Sequence, residues 1–488
     1  MTSPQNLTLA KEQCRLAPPL KARLAPWQKN LTRVENRQVL QGWLAQQDSP
    51  LHVFVLDQFH KNIEDLTAPL DRLGIRGKIF FARKANKLGW FAKAAGHAGI
   101  GVDTASANEV KETLELGLKG SDIVVTAVGK TESLVELSIK EGCLLVIDNL
   151  DELALIEKVA ARLGKTARCG LRLSGFKTEE RIIRSRFGFP IEDASTLARQ
   201  VASSPDLSLE VFHAHIDKYS PRERAMAAFA MIDLIKTLKA DKIEIRSIDL
   251  GGGILISYLE EERQWLDYLE ALQDSVRGTA PSFNYGGEGF GYYLENGVLK
   301  GEPDLYPHYN EIPKGRFVQA ILEEENECGP LARQLQELSL EVSFEPGRAL
   351  LDNTGVTLTS VGFRKEDTTG NTLIGLNANR MNLRPFRAEF CVDPIHLPVD
   401  AELEPGSAHA HALVLTKGAF LVGCLCSESD FIMRRRLALA TLPAVGDIFL
   451  FPNTAGYLAH HMEIGTHGGD LPTNILIDGE SLEILERA

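Results

Sequence analysis

At 488 residues, with 44% hydrophobic and 24% charged residues, the chain has material for two or three domains whose cores need no covalent staples. A formal net charge of −13 argues against bulk nucleic-acid binding. Seven scattered cysteines (Cys14, Cys143, Cys169, Cys328, Cys391, Cys424 and Cys426) match no secreted disulfide framework and no zinc spacing, so a reducing, cytoplasmic setting is expected.

Residues 1–49 read as a polar leader with one amphipathic piece, VENRQVLQGWLAQQ, expected to pack with a β domain. The first thirty residues hold no apolar h-region of a signal peptide. No run of about twenty apolar residues predicts a membrane span.

From Pro50 the texture changes. Short, nearly continuous apolar runs appear at KIFFARKAN (78–86), GIGVDTAS (99–106), DIVVTAVG (122–129) and LLVIDN (144–149). They continue at RCGLRLS (168–174), EVFHAHI (210–216), RSIDLGGG (246–253) and LEVSFEPG (340–347). Such runs suit strands buried on both faces. Between most of them lie segments with apolar residues three and four apart, such as ANEVKETLELGLKG, as amphipathic helices require.

Eight β–α units predict a closed (β/α)8 barrel of the TIM type over residues 50–350, rather than an open sheet. About 85 residues separate the seventh run from the eighth, an insertion at about 254–339. Its FNYGGEGFGYYLENG (283–297) lacks the GK[ST] of a phosphate loop and reads as a surface loop or lid. Residues 351–488, with VTLTSVGFRK, NTLIGLN, HALVLTKG, FLVGCLC and DIFLFPN, read as a second, mostly β domain.

In such a barrel the active site lies at the carboxyl ends of the strands. The residues expected there are Lys84, Asp103, Arg172, His213, His215, Gly251, Gly252, Gly253, Glu345 and Arg348. Three glycines ending a strand let backbone N–H groups approach an anion, although a tight turn would use them too. Arg348 can clamp the same anion. A lysine aimed at a pocket beside a phosphate site suits a Schiff base with pyridoxal phosphate, with Glu345 at the ring nitrogen and His215 on the ring face. Taken singly, Lys84 can equally be a strand cap, Glu345 an ion-pair member and His215 a core histidine.

FFARKAN (80–86) resembles the lysine motif of the fold-type III pyridoxal-phosphate decarboxylases, which include the ornithine, arginine and diaminopimelate decarboxylases. GVDTASANEV (101–110), HAHI (213–216), DLGGG (249–253), EPGR (345–348), CSESD (426–430) and NTAGY (453–457) match further family motifs in the same order. The resemblance spans roughly residues 50–480. It implies an alanine-racemase-like barrel plus a β domain, and a head-to-tail homodimer with shared active sites. It also implies that Lys84 carries pyridoxal 5'-phosphate as a Schiff base, with Asp103 in the cofactor site and His215 stacked on the ring. Glu345 would bind the ring nitrogen, and Gly251, Gly252, Gly253, Arg348 and Tyr457 would hold the phosphate. Cys426, from the partner subunit, would act near the substrate α-carbon as a proton donor.

The sequence departs from the family at several places. The usual HxGS is here HIDK, with Asp217 and Lys218 in place of glycine and serine. The acid that normally follows the cysteine is Ser427, then Glu428, and a second acidic position is Asn377, with Arg380 and Arg384 in the vicinity. Charge complementarity then favours a substrate with a carboxylate or other acceptor at its far end over a simple diamine precursor. The alternatives are a racemase on the same cofactor and a non-catalytic cofactor-binding protein. HHMEIGTH (460–467) fits no standard metal spacing, so no metal is expected.

Overall fold

The computed structural model describes residues 14–488 apart from 47–49, 179, 218, 384–389, 391, 400–417, 461 and 463–470. The chain forms two compact units. One takes Leu56–Ile256 and Ile312–Asp352; the other takes the chain up to Val55, Ser257–Glu311 and Asn353–Ala488.

The first unit is a closed barrel of eight parallel strands. They are β1 (Gly77–Ala82), β2 (Gly101–Thr104), β3 (Ile123–Val125), β4 (Leu144–Ile147), β5 (Ala167–Ser174), β6 (Leu207–Ala214), β7 (Ser247–Asp249) and β8 (Glu341–Phe344). Each pairs with its neighbours in chain order, and β8 returns to β1, so no strand edge is left open. All eight runs expected from the sequence are these strands.

Side chains such as Phe80, Val124, Leu144, Val146 and Val211 fill part of the barrel as one apolar cluster. Four barrel helices begin on a side-chain cap: Ser106, Thr131, Asn149 and Ser220 each accept a backbone N–H of the first turn. These caps stop the chain from fraying where it leaves the carboxyl end of a strand.

The detour between β7 and β8 is shorter than the sequence suggested. Only Ser257–Glu311 leaves the barrel; helix Gly315–Glu323 returns to it and supplies the missing barrel helix. The detour has its own aromatic centre, where the rings of Trp265 and His308 stack at 4.4 Å.

In the second unit the sheet runs Phe431–Leu437, Ala419–Val422, Thr372–Leu376, Gly355–Glu366, Leu51–Phe54, Thr473–Ile477 and Ile484–Arg487. Ile448–Pro452 pairs with both Gly355–Glu366 and Ile395–Leu397. Leu51–Phe54 lies just after the expected leader and takes a central place, antiparallel to one neighbour and parallel to the other. Helices Pro26–Leu31 and Arg37–Leu44 bring Trp27, Leu31, Leu40 and Trp43 into the core of this unit with Val53, Val356 and Leu450. Most of the expected strand HALVLTKG lies outside the described residues.

Candidate active site

The carboxyl ends of β1, β7 and β8 are tied together by backbone. Leu250 N–H donates to Ser343 O (2.9 Å), Glu345 N–H to Gly251 O (2.9 Å), and Ala82 N–H to Pro346 O (3.2 Å). These bonds continue the barrel ladder past the last paired residues. They bring the lysine, triple-glycine and EPGR motifs into one ring.

Lys84 sits on a single 3-10 turn, Arg83–Ala85, directly after β1. Its side chain is about half exposed, at 48%, and its Nζ stands 3.7 Å from the buried Asp103 Oδ2. Asp103 also accepts from Thr126 Oγ1 (2.6 Å). Thr126 O accepts from Arg172 Nη2 (2.6 Å), and Arg172 Nη1 donates to Asp148 Oδ1 (2.9 Å). A chain of alternating charge therefore runs from β1 across β2 and β3 to β5. It keeps an anion beside the half-exposed Lys84.

Glu345 is buried, and its Oε1 has no hydrogen-bond partner among the described residues. His213 Nε2 lies 3.3 Å from that oxygen without hydrogen-bond geometry. Burial, and then the Asp103 carboxylate, raise the Glu345 pKa to about 8. Burial, and then Glu345, raise Asp249 to about 7. Burial, followed by Arg172, holds His213 down at about 4, so its ring is neutral.

Asp249 is already satisfied, because Oδ1 accepts from Gly251 N–H (2.8 Å) and Oδ2 from Ser343 Oγ (2.7 Å). One ligand atom each from His213, Asp249 and Glu345 lie within 4.8 Å of one another, a donor set for a cation. A buried carboxyl with an unused oxygen is also what a protonated ring nitrogen needs. The residues present therefore fit pyridoxal phosphate.

The three glycines are not equivalent. Gly251 has φ +66° and Gly253 +74°, which other residues adopt only at a cost. A Cβ on Gly252 would lie 2.7 Å from Glu345 O. Gly251 N–H is committed to Asp249. That leaves the N–H groups of Gly252 and Gly253 without partners among the described residues, and it is these two that can face an anion.

His215 follows β6 and is half-buried. Burial, and then His213, hold it at about 4, so its ring is neutral. The ring of Phe187 meets it edge-on at 5.6 Å, and the Arg186 guanidinium lies 4.0 Å above Phe187. Neither Phe187 nor Arg186 was singled out from sequence. The only signal was an Arg–Phe–Gly run after β5, and Gly188 N–H is now seen bound to Asp148 Oδ1 (3.1 Å). Arg348, after β8, is half-buried. Asp217 is exposed, and Lys218 lies outside the described residues.

A cavity of about 530 Å³ opens elsewhere on the barrel, lined by Arg76, Lys78, Arg168, Glu210, Arg246 and Glu341. These residues flank the amino ends of the strands, and none belongs to the ring described above.

The family described as "Pyridoxal-dependent decarboxylase, pyridoxal binding domain" matches residues 56–296. The chain is 25% identical over 454 residues to a diaminopimelate decarboxylase of Neisseria meningitidis, covering 90% of this chain and 92% of that one. It is 26% identical over 444 residues to an uncharacterized protein of Sinorhizobium fredii, covering 90% of both. Among solved structures it is similar to the diaminopimelate decarboxylase of Helicobacter pylori complexed with L-lysine. There the TM-score is 0.68 at 19% identity, covering 92% of this chain and 96% of that one.

The chain belongs to the fold-type III pyridoxal-phosphate-dependent decarboxylases. It is thus an enzyme of the carboxy-lyase class with pyridoxal 5'-phosphate as its cofactor.

The decarboxylase's other expected site residues belong to the second unit. Asp430, nearly fully buried, organises two loops there: Oδ1 accepts from Arg380 N–H (2.8 Å) and Oδ2 from Leu425 N–H (2.9 Å). Arg380 and the loop bearing Cys426, Ser427 and Glu428 are thereby fixed to one carboxylate, with Cys426, Ser427 and Glu428 all exposed. No ion pair is formed by Arg380 among the described residues. Tyr457 has φ +61°, a strained value for a tyrosine and of the kind found at binding sites.

Arg384 lies outside the described residues. So does most of HHMEIGTH, of which His460 Nε2 meets Asn474 Oδ1 at 2.7 Å. Among the described residues no helix is long and apolar enough to cross a membrane.

Proposed function

We propose that the enzyme decarboxylates an amino acid whose far end carries a carboxylate or another hydrogen-bond acceptor, with Lys84 as the residue that holds the cofactor. The observation that carries the site assignment is the unused Glu345 oxygen, buried in the same ring of strand ends as the half-exposed Lys84.

When bound, pyridoxal phosphate supplies an electron sink for the pair left as the bond from Cα to the carboxylate breaks. The chain's own groups do the rest. Lys84 holds the cofactor and yields it to the substrate amine. Glu345 keeps a proton at the ring nitrogen, and its raised pKa allows it to bring that proton. His215, neutral, covers the ring face without adding charge. Gly252, Gly253 and Arg348 receive the phosphate, with Gly251 shaping their turn and Tyr457 beside it. Cys426 of a second copy delivers a proton to Cα after carbon dioxide departs.

The substrate reading rests on charge. Where an acid would meet a terminal ammonium, the chain has Ser427 and Asn377, and the Asn377 amide donates to Ser360 Oγ (2.8 Å). Arg380 and Arg384 offer cations instead, and Glu428 adds one nearby acid that can set the chirality at the distal amine. Diaminopimelate-type amino acids satisfy this balance better than ornithine. The homodimer and the cytoplasmic location are parts of the same proposal.

The test has two steps. First, the purified protein should show a visible absorbance band that borohydride reduction traps, and Lys84→Ala should show neither. Second, carbon dioxide release should be measured over amino acids with anionic, neutral and cationic tails. Retention of the trapped band in Lys84→Ala would sink the lysine assignment. Preferential turnover of ornithine would sink the substrate class. Racemisation without carbon dioxide release would sink the reaction.

A further inference from the structure

Arg224, on helix Pro221–Lys239, is fully buried. Its guanidinium is spent on carbonyls. Nη2 donates to Gly252 O (2.9 Å), Ile216 O (3.1 Å) and Gly253 O (3.4 Å), and Nη1 to Ser220 O (3.3 Å). Its Cζ lies over the Phe317 ring at 5.3 Å. A Cβ on Gly253 would stand 2.4 Å from Nη2, so residue 253 must be glycine for the arginine to fit.

A trans peptide is planar, and its N–H points opposite to its C=O. Carbonyls of residues 216, 252 and 253 that turn toward Arg224 therefore turn the N–H groups of Asp217, Gly253 and Ile254 away from it. Those three N–H groups have no partner among the described residues. A cation behind the peptides and an anion in front would polarise each peptide in the same sense, and each would strengthen the other.

We propose that Arg224 is the positioning residue of the phosphate cup, holding three peptides from behind so that the N–H groups of Asp217, Gly253 and Ile254 meet the cofactor phosphate. This rests on the reading of the glycine turn as the phosphate site. It gives HIDK a role in its backbone: the N–H of Asp217 serves where the usual glycine and serine are absent. Arg224 touches no reacting atom.

The experiment compares pyridoxal phosphate with pyridoxal, which lacks the phosphate, by absorbance titration of the cofactor-free protein. The variants are Arg224→Met and Arg224→Lys, and the melting temperature of each is recorded. Lysine is a reasonable second variant because this fold already buries one such ammonium on carbonyls, Lys130 at 2.6 Å from Ala127 O and 2.7 Å from Val146 O. Arg224→Met should weaken pyridoxal phosphate at least about tenfold and pyridoxal less than about twofold. Arg224→Lys should lie between, and it carries the test if the methionine variant does not fold. An unchanged preference for the phosphate form in a folded variant would overturn the role of Arg224. So would equal weakening of both ligands, the mark of a merely structural residue. If the unaltered protein holds pyridoxal as tightly as pyridoxal phosphate, the phosphate-cup reading itself fails and takes this proposal with it.

Discussion

Two lysines near the ends of barrel strands show how surroundings decide a residue's use. Lys84 is half exposed, with one carboxylate at 3.7 Å. Lys130 is sealed, donating to two carbonyls and to Glu152 Oε2 at 2.9 Å, and burial lowers its pKa. Replacing Lys130 by methionine leaves the buried Glu152 without its cation. Denaturant melts should show a loss of about 3–5 kcal/mol, with the absorbance of the bound cofactor unchanged.

Glu345 makes a prediction of opposite character. In the cofactor-free protein its pKa is raised to about 8, against about 4.3 for an unfolded glutamate. Between those values the folded chain keeps a proton that the unfolded chain has lost. The stability from this group is full at low pH and drains away as pH climbs toward 8. Asp249 adds to the same limb up to about 7. His213, lowered to about 4, acts the other way: its contribution is full above about 6.5 and is lost as pH falls through 4. Glu345→Gln should therefore gain on the parent protein between pH 5 and pH 8 by on the order of 2 kcal/mol, read by thermal melts at both values. The same variant should lose about a hundredfold or more in turnover.

At the scale of elements, the site depends on how helices begin. Asn149 caps helix Leu150–Leu163 by accepting Glu152 N–H (3.0 Å), and Glu152 in turn holds Lys130 and the backbone N–H of Asp148. Asn149→Ala should cost about 1 kcal/mol by denaturant titration. It should also speed amide exchange in the first turn of that helix. The segment Ser257–Glu311 follows the same logic of local partners. It bridges Leu259 to Ala22 and Asn284 to Arg435, and Tyr285 lies 4.3 Å from the Phe431 ring, so these contacts are all made within the second unit.

At the scale of the whole molecule, the proposed homodimer is testable without a structure of it. Inactive Lys84→Ala and Cys426→Ala proteins, mixed and allowed to exchange subunits, should recover about a quarter of the parent activity, because half the dimers then hold one intact site of two. No recovery despite proven exchange would mean that both residues serve the same site from one chain.

The sequence by itself determined the barrel and its site motifs. Eight β-branched runs in alternation with amphipathic segments admit few other closed arrangements, and Lys84, Glu345 and the glycines stand where strands end. Chemistry carried by residue type and position along a strand is local, and a sequence can show it. What only the tertiary structure decided was set by partners far away along the chain. Leu51–Phe54 reads like the start of a barrel, but its register with Gly355–Glu366 and Thr473–Ile477 places it in the other unit. Gly251 reads as one anion-binding glycine of three, but Asp249 has taken its N–H. Arg224 reads as a charged residue on a helix, and folding buries it behind two loops whose carbonyls no local pattern announces. Burial and hydrogen-bond satisfaction belong to the assembled molecule, and on them rests the difference between a residue that stands near a site and one that makes it.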